Sequence, residues 1–154
     1  MSDTHVFQKK GNTIIVSIDT NIFSPYVRVV REVIATALFL EKQKNVSVEV
    51  YLLTNKSIRE INKKFRKKDT VTNVLSFESP KNPIFSKKIG AANKRYIGEI
   101  YLAPQYITHK KEDIRALSLH GVLHLLGYDH KKEVEYKEME KKEKKIFERI
   151  TLGK

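Results

Sequence analysis

Apolar positions recur along this chain in two rhythms, and the changes from one rhythm to the other mark the elements. Residues 12–18, Asn-Thr-Ile-Ile-Val-Ser-Ile, are rich in β-branched side chains and predict a strand. Ser24-Pro25 has the form of a helix start, with Ser as cap and Pro at the first position. From there to about Lys42, Val29, Val33, Ile34, Ala37 and Leu38 follow a helical stripe. Val46, Val48, Val50 and Leu52 then alternate with Ser47, Glu49 and Tyr51, which predicts a strand with one buried face. Thr54 or Asn55 can cap a second helix that turns Ile58, Ile61 and Phe65 inward and Lys56, Arg59, Lys63 and Lys64 outward. A charged turn leads into a strand at Val74–Phe77.

Residues 79–95, rich in lysine and broken by Pro80, Pro83 and Gly90, show no period and predict a long, mobile basic loop. Tyr96–Leu102 predicts a strand interrupted by Gly98 and stopped by Pro104, paired as a hairpin with 74–78. A short helix fits 104–110. Glu112 and Asp113 suit the start of the next helix, where carboxylates favour the positive dipole end. Around 117–126 that helix is apolar nearly all round, the mark of a buried helix. From 131 to 154 a charged C-terminal helix carries only a thin stripe of Val134, Met139, Ile146, Phe147 and Ile150. The order β-α-β-α-β-β-α-α predicts one α/β (α+β) domain over 1–154, a small mixed sheet of about four strands packed with helices. Its first β-α-β unit should cross over right-handed.

Charge adds to this picture through its distribution. The formal net charge is +12, and residues 42–95 alone carry +10. A positive field focused in the middle third favours a polyanionic partner over a merely solvated surface. The chain has no cysteine, which excludes disulfides and thiolate metal sites. Its longest apolar run, Val33–Leu40, is far short of the ~20 residues that span a bilayer, and the N-terminus lacks the pattern of a signal peptide. No membrane association is expected.

The chemistry is concentrated in Leu117–His130, which holds three of the five histidines. His120 and His124 stand four apart, so a helix puts them on one face. Imidazoles in so apolar a helix need partners, because burying an unpaired polar group costs roughly 1–3 kcal/mol. A lone histidine usually satisfies itself by a hydrogen bond, but the pair is better served by a metal ion. Gly127 can take positive φ and turn the chain, letting His130 come back toward the pair. Three neutral nitrogens with a fourth position left to water is the layout of a catalytic zinc site, so one Zn2+ on His120, His124 and His130 is the expected cofactor. The His-x-x-x-His-x-x-Gly-x-x-His spacing is that of the metzincin proteases, but Gly121 stands where those enzymes carry their Glu base. His5 and His109 are expected at the surface without a role.

His120-Gly121-x-Leu123-His124-Leu125-x-Gly127-Tyr128-Asp129-His130 resembles the signature of the bacterial YbeY family at every fixed position. A second block, Asn62-x-x-Phe65-Arg66-x-x-Asp69-x-x-Thr72-Asn73-Val74-Leu75-Ser76-Phe77, is similar to that family's other signature. Gly98-Glu99-Ile100 is similar to a third, with Glu where the family more often has Asp. The resemblance spans about residues 46–140. It implies a single-domain α/β metalloprotein of the bacterial cytoplasm, a single-strand-specific, metal-dependent endoribonuclease. Its implied work is rRNA processing, at the 3′ end of 16S rRNA, and ribosome quality control, with RNA and ribosomal particles as partners. By position, His120, His124 and His130 would hold the zinc and Arg66 would be the functionally important, catalytic arginine.

A guanidinium is always charged and grips phosphate through paired N–H bonds, which fits Arg66 to transition-state stabilisation. Lys63, Lys64, Lys67, Lys68 and the basic loop could track a phosphate backbone. No general base is identifiable; Asp129 could orient a ligand or cap the turn. Two other functions stay open: a non-catalytic ribosome-assembly or RNA-binding factor with a structural zinc, and a metal hydrolase of peptides or small substrates.

Overall fold

The structure, a computed structural model, describes residues 3–79, 94–128 and 132–152. Strands β1 (Asp3–Lys9), β2 (Asn12–Ile18), β3 (Val46–Leu52), β4 (Val74–Glu78) and β5 (Arg95–Leu102) form one sheet in the order β1-β2-β3-β5-β4. β2, β3 and β5 run parallel, and β1 and β4 pair antiparallel at the two edges. The helices are α1 (Ser24–Leu40), α2 (Asn55–Arg66), α3 (Pro104–His109), α4 (Ile114–Leu125) and α5 (Glu133–Leu152). The predicted α/β class, mixed sheet, 74–78/96–102 hairpin and C-terminal helix are all present. Among the described residues no helix is long and apolar enough to cross a membrane. Most of the predicted basic loop, residues 80–93, lies outside the described residues, as do Asp129 and His130.

The sheet has five strands where the sequence pattern implied about four. The added one is β1, whose side chains are largely exposed and carry no buried-face alternation. It is held instead by its turn. Lys10 and Gly11 both take positive φ, 52° and 82°, the backbone of a two-residue hairpin whose twist matches that of its strands. The first long helix also differs slightly at its start. A 3-10 turn at Asn21–Phe23, capped by the Thr20 side chain, precedes Ser24, and α1 ends at Leu40.

β3 departs from the expected single buried face, since all seven of its residues are buried. It is the centre of the sheet, and both faces are covered. On one face Val48, Val50, Ile14, Val16, Ile100 and Leu102 join the main core with α1, α4 and α5. On the other, Tyr51 and Tyr101 pack with Leu75, Ile58 and Ile61 beneath α2. The polar half of the alternation is therefore a second interior layer. Glu49 and Glu99 lie side by side there in register, each 1% exposed. Tyr51 donates to Glu49 at 2.8 Å and Tyr101 to Glu99 at 3.1 Å, with the two rings stacked at 4.9 Å. Burial, with the neighbouring carboxylates, pushes both phenols well above their ordinary range. The Glu at 99 is thus a buried partner of tyrosine.

Gly98 sets how closely β4 and α4 approach β5. Its φ is +140°, and an added Cβ would lie 2.3 Å from the Phe77 carbonyl oxygen and 2.9 Å from Leu125 Cδ2. No other residue accepts that backbone and that contact together. The β3–β5 register shifts between Ser47 and Val48, just where Gly98 enters the ladder.

Candidate active site

The histidine helix α4 begins with its own stop on the preceding loop. Asp113 caps it by accepting from the Arg115 amide at 2.9 Å and also pairs with the Arg115 guanidinium at 2.8 Å. That side-chain bond from Arg115 holds the Asp113 carboxyl below the usual carboxylate range. Leu119, Val122, Leu123 and Leu125 are buried against the sheet and α1, which fixes the rotation of the helix about its axis. Gly121 faces the sheet directly, and a Cβ there would meet Ile100 Cγ2 at 3.0 Å. At the position that carries the base in metzincins, a glutamate would have to displace Ile100.

With the helix so rotated, His120 and His124 share the remaining face. Their Nε2 atoms are 3.1 Å apart and their rings meet edge to face, with centroids at 4.6 Å. Two zinc–nitrogen bonds of about 2.0–2.1 Å at a tetrahedral angle hold their nitrogens about 3.3–3.4 Å apart. The observed spacing is therefore close to that of two adjacent ligands of one small cation. Among the described residues no group of three or more His, Cys, Asp or Glu is placed to hold a metal, and the third predicted ligand, His130, lies outside them. The turn toward it is present: Gly127 has φ +102°, and the Tyr128 amide bonds back to the Leu123 carbonyl. The Tyr128 hydroxyl then donates to Glu41, just past the end of α1.

Opposite the histidines stands the last turn of α2. A cavity of about 390 Å³ is lined by Arg66, Lys68, Thr70, Ser76, His120 and His124, with Asn62 at its back. Tertiary folding thus joins the two sequence blocks, although 54 positions separate Arg66 from His120. Arg66 is held from two sides. Its Nη2 donates to the Ser76 carbonyl at 3.3 Å, and its guanidinium lies over the Phe77 ring at 5.3 Å. Asn62 is buried and donates to the Thr70 carbonyl at 3.0 Å, clamping the turn after the helix. Lys67 ends α2 in the left-handed conformation, φ 58°. Asp69 pairs with Arg59 at 2.8 Å, so this carboxylate is committed to the turn.

The four lysines are not equivalent. Lys68 lines the cavity; Lys63 lies 4.0 Å from Asp69, Lys64 stands over the Phe65 ring, and neither these nor Lys67 contribute to its wall. Phe65 itself is 42% exposed, contrary to the inward position expected for it. The buried place on that helix face goes to Asn62, because the turn it clamps needs a polar side chain underneath. His5 pairs with Asp3 on β1, and His109 lies in the last turn of α3, both apart from the cavity.

One neighbour of the site escaped the sequence reading. Glu143 on α5 places Oε2 3.1 Å from His120 Nδ1. A signal did exist: Met139, Ile146 and Ile150 are the buried positions of α5, and Glu143 stands at the same helical spacing among them. Asn73, which donates to Glu112 at 3.1 Å, similarly ties the start of β4 to the loop before α4.

Comparison with known proteins shows what the chain as a whole is similar to. The family model described as Endoribonuclease YbeY matches residues 15–151. Proteins named Endoribonuclease YbeY from two strains of Bacillus cereus are 35% and 36% identical over 139 residues, covering 84% of this chain and 89% of theirs. One from Bacillus thuringiensis is 34% identical over the same coverage. The solution structure of a Thermotoga maritima protein shares the fold, with a TM-score of 0.50 at 24% identity over 88% of this chain and 87% of its own.

Proposed function

The chain belongs to the endoribonuclease YbeY family, and from that premise we propose that it cleaves single-stranded RNA in the cavity between α2 and α4. The protein is an endoribonuclease, a hydrolase that cuts internal phosphodiester bonds of RNA. The proposal adds a substrate, rRNA in ribosomal particles, with maturation of the 16S 3′ end and ribosome quality control as the purpose. It also adds a place, the bacterial cytoplasm, and a cofactor, one zinc ion. The observation that carries it is the cavity that sets Arg66 against His120 and His124.

His120, His124 and, by its spacing, His130 would hold the ion. Bound there, zinc would supply a Lewis acid for a phosphoryl oxygen and lower the pKa of a bound water to about 7. Arg66 binds the phosphate itself. Cleavage develops negative charge on the non-bridging oxygens, and a guanidinium tethered to the Ser76 carbonyl keeps other N–H groups for them. Lys68, on the same wall, adds a second positive charge for the neighbouring phosphate. Phe77 below the guanidinium limits its swing, so little reorganisation is needed when charge develops. The peptide-hydrolase alternative loses support, since Gly121, where metzincins carry their base, has no side chain and packs on Ile100 of the sheet.

The test is cleavage of an end-labelled single-stranded RNA by wild type and by a folded His124→Ala variant purified in parallel. Cleavage by the wild type alone is expected. Equal cleavage by both assigns the activity to a contaminant, and the assembly-factor reading then takes its place.

A further inference from the structure

α5 is a charged helix with one narrow buried stripe, and Glu143 interrupts it. Met139, Ile146 and Ile150 are 0%, 2% and 7% exposed, and Glu143 lies between them at the i+4 position from Met139. The side chain is 29% exposed. A carboxylate in an apolar stripe is costly unless it finds a partner. Its partner is His120 Nδ1, at 3.1 Å. A carboxylate only accepts, so the imidazole proton of a neutral His120 belongs on Nδ1. Nε2 then keeps its lone pair, and Nε2 is the nitrogen that lies 3.1 Å from His124 Nε2 on the cavity side.

We propose that Glu143 is the positioning residue of this site: it sets the tautomer and ring orientation of His120, and through them raises the affinity of the site for a divalent cation. The cation half rests on the zinc reading given above, while the tautomer half does not. A carboxylate behind a ligating imidazole also makes the imidazole more basic, and loss of such partners typically weakens metal binding about 10–100-fold. The competing explanation is that the contact only docks α5. Lys142 supplies the control, since it ties the preceding position of α5 to Glu41 at 3.3 Å, an ion pair with no histidine in it.

Two measurements on the full chain decide this. Long-range proton–nitrogen NMR of the metal-free protein, at a pH where the imidazoles are neutral, is expected to show a protonated Nδ1 and an unprotonated Nε2 on His120. Glu143→Ala is expected to mix the two tautomers, and Lys142→Ala to leave them unchanged. Zinc affinity, read by competition with a chromophoric chelator, is expected to fall about 10–100-fold in Glu143→Ala. It should fall less in Glu143→Gln, whose amide oxygen can still accept. Thermal melts establish that each variant is folded. Wild-type tautomers in a folded Glu143→Ala protein overturn the proposal, as does an equal loss of zinc affinity in Lys142→Ala. A wild type that takes up no zinc overturns the metal reading instead, and the tautomer shift in Glu143→Ala still decides the role of Glu143.

Discussion

Arg66 shows how a single side chain is aimed. Its charge comes with the amino acid, but its aim comes from the Ser76 carbonyl and the Phe77 ring. Because the side chain is exposed, its removal leaves little unfilled volume and should barely move the melting temperature. Arg66→Ala is expected to lower the rate of RNA cleavage by about 10²–10³, the loss seen when one preorganised donor to a developing oxyanion is removed. Arg66→Lys should recover only part of it, since an ammonium cannot make the paired contact. Initial rates on the same labelled RNA check both. At this scale the sequence showed the residues whose chemistry is unusual in itself: three histidines in a tight group and an arginine within a distinctive block. It half hid Glu143, one charged residue in a helix full of them: its place in the apolar stripe was the one sign, and its partner appears only in the fold.

The elements matter as platforms, and α4 is the one on which the histidines stand. Its first turn is held by Asp113, which both caps the helix and pairs with Arg115. Asp113→Ala is expected to cost about 0.5–2 kcal/mol at neutral pH, the usual loss for a cap. The pH dependence follows from the lowered pKa of Asp113, caused first by the Arg115 hydrogen bond. Its contribution is fully present above the unfolded-state value of about 3.9 and is lost as pH falls through the lower folded-state value. Chemical denaturation of wild type and variant should therefore differ at pH 7 and converge at the acid end. The helices were legible because a 3.6-residue stripe against a core is a strong signal. β1 was not legible, because an exposed edge strand buries no face and its two-residue turn carries the information. In β3 the alternation was legible and its meaning was not. Alternation reports two chemistries on two faces, and only the sheet's neighbours decide whether the polar face meets water or α2.

For the molecule as a whole, the relevant quantity is charge. The formal net charge of +12 is carried mostly by residues 42–95, and the basic end of α2 sits beside the cavity. Single-stranded RNA binding should therefore weaken steeply with salt. If four phosphates are engaged, the slope of log affinity against log salt is about −3, or roughly 50-fold between 50 and 200 mM. Fluorescence anisotropy at several salt concentrations measures it, and a flat curve removes the basic surface from RNA binding. Replacing Lys68 should lower affinity more than replacing Lys64, because Lys68 lines the cavity and Lys64 is turned onto Phe65.

The sequence by itself determined the fold class, the helical register that pairs His120 with His124, the glycine turn after them and the distribution of charge. Each of these is local, set by periodicity, by φ preference or by counting. Only the tertiary structure decided that Arg66 faces those histidines, that Glu99 is buried beside Glu49 of β3, that Gly121 packs on Ile100 and that Glu143 reaches His120. Each of those is a meeting of groups far apart in the chain or a contact across packed layers. Such meetings depend on how the sheet and helices pack, which no local pattern encodes.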